Sequence, residues 1–422
     1  MGSTYLGSGQ GDAEVAASLL RSTTAVRERA AQLLTRARNG ESSWFVVDDG
    51  FLDAAANEVV AATRKRYPKL HVPLHSRWRH FEAGGVDRKA QLESMLPGSP
   101  HTLRAHAMVD LTFVSVLLDG GAGADWKYVE PATGQTFTRS EGLAVASFHA
   151  FMAGMFSSDK DRPLQVDSQG LRGLVTDHLA SAFQVSEGNP LVGLEQRAIL
   201  LRRLGEVMAE QPEVFGEDGR PAGIFDMIVT PLGPDVPHTA DVTAHGILSQ
   251  ILISLSAIWP AGNAIGNVPL GDCWRHAAIR GDGLSDGWMP FHKLSQWLTY
   301  SLLEPFEWGG VKVRNVDALT ALPEYRNGGL MIDSGLLRLR DESSAAQIWQ
   351  PGDEIIVEWR ALTVALMDEV AGAVRGQLRL NADKFPLARV LEGGTWAAGR
   401  ELAQRHRGGL PPLKVASDAT VF

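Results

Sequence analysis

The sequence has one cysteine, Cys273, in 422 residues. A single thiol can form neither an intramolecular disulfide nor a cysteine cluster for zinc or iron–sulfur, and such sparing use fits a reducing cytosol. Long hydrophobic runs are missing too. The most apolar stretch, GILSQILISLSAIW at 246–259, carries serine and glutamine and is too short to span a bilayer. It reads as a buried helix, with no membrane role expected. Positive charge is in deficit: the net charge is −9, which removes the electrostatic footprint of a nucleic-acid binder yet leaves room for a local basic pocket holding one small anion. The opening MGSTYLGSGQGDAEVAAS has no basic segment followed by an apolar one, so no secretory signal is read there. A soluble, cytoplasmic protein is expected.

Several catalytic signatures are absent as well. No GxxxxGK[ST] phosphate loop occurs, and GGAGAD at 120–125 follows an apolar run without completing GxGxxG. There is no HExxH, and Pro73 inside HVPLH argues against His71 and His75 sharing a helix face. No GxSxG elbow is found, and Cys273 has only His276 nearby in sequence. VVDDG at 46–50 has the paired acids of a phosphoribosyl-transfer site, but no Thr-Gly-rich loop follows. Neither a metal nor an organic cofactor is expected.

What is present is mostly helix signal. Apolar positions at Val15, Leu19, Leu20, Val26, Ala30, Leu33 and Leu34 follow a 3.6 period over Asp12 to about Arg38. Ser99-Pro100 opens a run to Leu118, Ser140 another through Met155, Asp167 a fourth to Phe183, and Asn189-Pro190 a fifth halted before Pro212. Further runs lie near 241–258, 291–303 and 352–378. Strand candidates are WFVVDD (44–49), the hairpin WKYVEPATGQTFT (126–138) and GGVKVRNV (309–316). The expectation is a mainly α protein with minor β decoration. It would form a single large domain over 1–422, either undivided or in two helical lobes of about 1–240 and 241–422.

Four stretches carry candidate chemistry. In VPLHSRWRHFEAGGVDR, Arg77, Arg79, His80 and Arg88 surround Trp78 and Phe81; arginines can grip phosphate, though a solvated basic loop reads the same way. WFVVDD ends in acids that could place Asp48 at a pocket floor, or make an ordinary Asp-Gly turn. In LTALPEYRNGGLMIDSG, Asp317 and Glu324 bracket an apolar run, Tyr325 and Arg326 adjoin Glu324, and Asn327-Gly328-Gly329 reads as a turn. A carboxylate such as Glu324 could stabilise an oxocarbenium-like transition state, or be one half of an exposed ion pair. Finally, Glu392, Trp396 and Arg400 recur at the spacing of one helix face in LEGGTWAAGRELAQRHR.

Taken together, VPLHSRWRHFEAGGVDR, DLTFVSVLLDGGAGADWKYVEPATG, RSEGLAVASFHAFMAGMFS and LTALPEYRNGGLMIDSG resemble the fungal and bacterial family known as uracil catabolism protein 4, over nearly the whole chain. That resemblance implies a ring-opening uracil route in which a ribosyl-urea species must release urea. A more distant similarity is to the queuosine salvage nucleotide N-glycosylases, whose helical fold is related to DNA glycosylases. WFVVDD, NPLVGLEQRAILLRRLGEVM, VDALTALPEYR, PGDEIIVEWRALTV and LEGGTW match their segments in the same order.

The similarity puts Glu324 where those enzymes carry their catalytic Asp and Leu322 where a Phe helps hold the base. Glu392 and Trp396 fall on base-contacting positions. GFLDAA replaces their NFSFW segment. The loss of aromatic surface suits a leaving group smaller than a fused ring, such as urea. The resulting expectation is an N-ribosidic hydrolase acting on a small ribosyl substrate. Glu324, Asp317 and Arg326 would act at the reacting bond, with Arg326 lowering the Glu324 pKa. Leu322, Tyr325, Glu392, Trp396, Arg400 and Asp48 would face the substrate, with Glu392 able to donate a proton to the departing nitrogen. Arg77, Arg79, His80 and Arg88 would hold a 5-phosphate. Two alternatives stay open: a uracil phosphoribosyltransferase, and a non-enzymatic partner of the ring-opening enzyme. The sequence does not set the oligomeric state.

Overall fold

A computed structural model describes residues 8–229, 241–259 and 262–416. Helices dominate, and every sheet among the described residues has two short strands. No helix there is long and apolar enough to cross a membrane. The described residues divide into two compact units whose segments alternate along the sequence: 8–75, 262–293 and 316–416 belong to the first, and 76–229, 241–259 and 294–315 to the second. Each unit therefore draws on both sides of position 240.

The first unit begins with α1 (Ser8–Leu20) and α2 (Thr23–Arg38). The 3.6 period suggests one helix here, but the chain breaks at Arg21–Ser22. Ser22 is extended, and its hydroxyl accepts from the Ala25 N–H at 3.1 Å, capping α2. β1 (Phe45–Val47) and α3 (Leu52–Arg66) follow, then β2 (Cys273–Arg275) paired antiparallel with β3 (Trp288–Pro290). Next come α4 (Tyr325–Asp333), β4 (Leu337–Leu339) against β1, the 25-residue α5 (Glu354–Leu378), and α6 (Trp396–Arg407). A π-helical turn, Leu391–Thr395, leads into α6.

Helix α5 is the axis of this unit. Val26, Ala30 and Leu33 of α2 close on Val357, Ala361 and Val364 of α5, with Ile279, Met289 and Phe291 filling the gap. Each fully buried Val, Leu or Phe contributes roughly 1.5–3 kcal/mol. The first half of α5 is buried all round, as expected of a central helix. Its buried charges must then be paired. Arg360 makes a bidentate pair with Asp272 at 2.7 and 2.8 Å, holding the Asp272 carboxyl down at about 2 despite its burial. Glu358 accepts from Ser42, from His276 Nε2 at 3.1 Å and from Arg36 at 3.3 Å.

In the second unit, the helix His101–Leu117 carries a nearly continuous buried run from Ala107 to Leu117. The hairpin Lys127–Val129/Thr136–Thr138 forms as its sequence suggests, and Lys312–Arg314 pairs in parallel with Asp241–Thr243. The helix expected over 167–183 is two, Ser168–Arg172 and Thr176–Ala182, interrupted at Gly173. Asp167 does cap the first, accepting from Gly170 N–H at 2.8 Å.

Candidate functional site

Glu324 is the N-cap of α4. Its backbone is extended, and its two carboxylate oxygens take the N–H groups of Arg326 and Asn327 at 2.7 and 2.6 Å. A glutamate in place of the usual Ser, Thr, Asp or Asn puts a full negative charge at the positive end of the helix dipole. The side chain is sunk among protein atoms but retains a partly exposed face. Burial pushes its pKa up; the two backbone N–H groups, Lys293 and Arg326 pull it back without overcoming the rise. Arg326 thus lowers the Glu324 pKa, as the sequence suggests, but burial outweighs it and the net shift is upward.

Asn327-Gly328-Gly329 is not a turn but the first turn of α4. Gly328 is required because the Trp359 indole lies 2.7–2.8 Å from where its Cβ would stand, and the indole N–H donates to the Gly328 carbonyl at 3.1 Å. Gly399 of α6 plays the matching role opposite: its Cβ would meet the Arg326 carbonyl oxygen at 2.1 Å. The backbone that presents Glu324 is thereby gripped from two sides.

Arg326 is 3% exposed, and its guanidinium Nε and Nη1 have no hydrogen-bond partner; its charge rests over the Tyr325 ring at 4.8 Å. Asn327, equally buried, donates to the Leu322 carbonyl at 3.0 Å while its own Oδ1 is unpartnered. Neither Glu324 nor Arg326 forms an ion pair with a described residue. A buried cation such as Arg326, without an ion pair to a described residue, is costly by several kcal/mol. Proteins retain such groups chiefly at functional sites. Leu322 is buried beside them and Tyr325 partly exposed. Asn327 escaped the sequence reading because its Gly-Gly neighbours suggested a turn.

The other candidates lie elsewhere in the first unit. Asp317 directs its carboxylate to the Leu387 N–H at 2.6 Å and to Arg375 at 3.3 Å, while Arg27 takes the carbonyls of Asp317, Ala318 and Leu319. It fastens the segment and does not touch Glu324. Asp48 caps a short 3-10 turn through Gly50 N–H and faces Arg338 at 3.6 Å. Glu392 falls in the π-helical turn and faces α3: Arg66 at 2.8 Å, Tyr67 at 3.0 Å and His75 at 2.9 Å hold it. Burial raises its pKa, but the hydrogen bond and charge of His75, with Arg66 and Tyr67, outweigh this and bring it down to about 2. A group so acidic stays ionised and is no proton donor near neutrality. Trp396 carries the Arg400 guanidinium over its ring at 5.5 Å.

The basic segment belongs to the second unit, where carboxylates already occupy it. Arg88 commits all three nitrogens, to Glu130 and to the Phe81 and Ala83 carbonyls, at 2.8–3.0 Å. Arg79 holds Glu304 at 2.9 and 3.1 Å. Arg77, fully buried, lies 2.7 Å from Asp119, bonds Ser115 at 2.8 Å and contacts His80 at 3.0 Å; its Nη2 alone is unpartnered. These are buried struts more than an open phosphate cradle. No group of three or more His, Cys, Asp or Glu among the described residues could hold a metal ion.

With this geometry in view, the comparisons with known proteins are direct. The family model "Protein of unknown function (DUF1688)" matches residues 19–422. Protein urg3 of Schizosaccharomyces pombe is 39% identical over 417 residues, covering 97% of this chain and 99% of that protein. Uracil catabolism protein 4 of Lachancea kluyveri is 35% identical over 436 residues, covering 96% and 98%. A family match over residues 19–422, with two relatives aligned over nearly their whole length, establishes that the chain belongs to the DUF1688 family.

Proposed function

We propose that the chain is a hydrolase of uracil catabolism that cleaves an N-ribosidic bond, releasing urea from ribosyl-urea or its 5-phosphate. The pathway follows from the name of its Lachancea kluyveri relative. The observation that carries the chemistry is the pair Glu324 and Arg326: neither has an ion pair with a described residue, burial raises the Glu324 pKa, and Arg326 Nε and Nη1 have no hydrogen-bond partner. In the reaction the C1′–N bond breaks, the electron pair leaves with the urea nitrogen, and water supplies oxygen to C1′ and a proton to nitrogen. Positive charge develops on C1′ and the ring oxygen. An ionised Glu324, poorly solvated and fixed by two N–H groups, stabilises that charge without reorganising. Arg326 has an uncommitted guanidinium donor for the ureido carbonyl oxygen, and Asn327 Oδ1 accepts from a ureido N–H. This set complements the donors and acceptors of a ureido group.

In this reading Arg326 replaces the 77–88 segment as the oxygen-binding cation, and Glu392 acts only to hold the α3–π-turn packing. The test is Glu324→Gln, an isosteric change that keeps an acceptor oxygen at the cap. Urea release should fall by at least about 100-fold with substrate binding retained. Wild-type turnover in this variant refutes the assignment.

A further inference from the structure

A cavity of about 300 Å³ opens in the first unit, lined by none of the residues gathered at Glu324. Its walls come from the end of α2 (Arg36), the approach to β1 (Trp44), the segment after β2 (His276, Arg280) and the start of α5 (Glu354, Glu358). The floor is a finished polar network. His276 Nδ1 accepts from the Ala278 N–H at 3.1 Å, so the neutral imidazole carries its proton on Nε2 and donates it to Glu358 at 3.1 Å. Ser42 donates to the other Glu358 oxygen, and Glu354 accepts from the Ala277 N–H at 2.8 Å. Both carboxylates therefore have donors from the protein itself.

The two cations are only partly satisfied. Arg280 spends only Nη1, on the carbonyls of Ala277 and Ile279 at 2.8 and 2.9 Å, and forms no ion pair with a described residue. Arg36 makes one contact, to Glu358 at 3.3 Å, with a quarter of its side chain exposed. Trp44 is braced edge-on by Trp349, ring centres 5.9 Å apart, which fixes its indole as a wall. The cavity thus offers guanidinium donors, a flat apolar side and, beneath them, the buried Glu358 with donors on both of its oxygens.

We infer that this cavity is a second small-molecule site, for a compact organic oxyanion with a flat body. A carboxylate or phosphate head would meet the free edges of Arg36 and Arg280, and the body would lie on Trp44. Allowing about 30 Å³ per water-sized unit, the space accommodates on the order of ten non-hydrogen atoms. The site is independent of the chemistry at Glu324, so its test does not depend on that reading.

The experiment is calorimetric titration of the full chain with benzoate and, separately, with inorganic phosphate. Benzoate should bind one to one, and phosphate about tenfold more weakly because it leaves Trp44 uncovered. Arg280→Ala and Trp44→Leu, both surface-side changes, should each weaken benzoate by about tenfold or more. Glu324→Gln should leave it unchanged. Absence of benzoate binding, binding unaffected by Arg280→Ala, or phosphate binding as tight as benzoate would each overturn the assignment.

Discussion

One substitution, Gly→Ala, should have opposite effects at two helix positions, and the difference measures how tightly the candidate site is held. At Gly399 an added Cβ would stand 2.1 Å from the Arg326 carbonyl oxygen and 2.9 Å from its carbonyl carbon. Both are backbone atoms, so no side-chain rotation relieves the overlap; α6 and α4 must separate by roughly 1 Å. Forced overpacking costs about 1–3 kcal/mol, more than the roughly 1 kcal/mol that alanine gains over glycine inside a helix. Gly372, in α5, is exposed and has nothing within 4 Å of its would-be Cβ. There Gly→Ala should stabilise by about 0.5–1 kcal/mol. Thermal melts followed by circular dichroism, one variant beside the other, give the comparison. Gly399→Ala should melt below wild type and Gly372→Ala above it. Because Arg326 and Glu324 share the displaced backbone, Gly399→Ala should also lose most urea-releasing activity, whereas Gly372→Ala should keep it. A Gly399→Ala protein as stable and active as wild type would refute the close-packing argument.

The remaining predictions concern charge. Burial raises the Glu324 pKa, so the acid limb of the kcat/KM profile should lie above the ordinary carboxylate range, activity falling as pH drops through that raised value. A limb at the usual carboxylate pH would contradict it. Glu392 is depressed from 4.5 to about 2; its contribution to stability is full above about 4.5 and is lost as pH falls towards 2. That shift corresponds to roughly 3 kcal/mol at most, and denaturant midpoints of wild type and Glu392→Gln should converge across this window. Arg326→Met should abolish turnover while raising the melting temperature, because it removes a buried charge that has no ion pair with a described residue. A melting temperature lowered by several degrees would mean that Arg326 is structural.

The sequence exposes its helical character readily, because long amphipathic runs and their caps are local signals. Asp167 and the 126–138 hairpin are examples. The break at Arg21–Ser22 is hidden, since the apolar period continues across it and only the serine hydroxyl stops the helix. Glu324 stood out by position within a colinear match, but its role as a cap depends on backbone geometry. Asn327-Gly328-Gly329 misleads for a tertiary reason: the glycines serve Trp359, more than thirty residues away. The basic 77–88 run misleads because its partners, Asp119, Glu130 and Glu304, lie far along the chain. Glu392 and its neighbours from α3 onward show the same limit, as a carboxylate's acidity is set by what folding brings beside it. Arg326 is the inverse case. Its Nε and Nη1 lack a hydrogen-bond partner among the described residues, which no sequence pattern displays.

The most direct test of the account is product analysis of the purified chain, alone, with ribosyl-urea and with its 5-phosphate. The account predicts urea and the free sugar or sugar phosphate in equal amounts, formed by the wild type and lost in Glu324→Gln. No urea from either compound, or formation of a nucleotide when uracil and phosphoribosyl pyrophosphate are supplied instead, would contradict it.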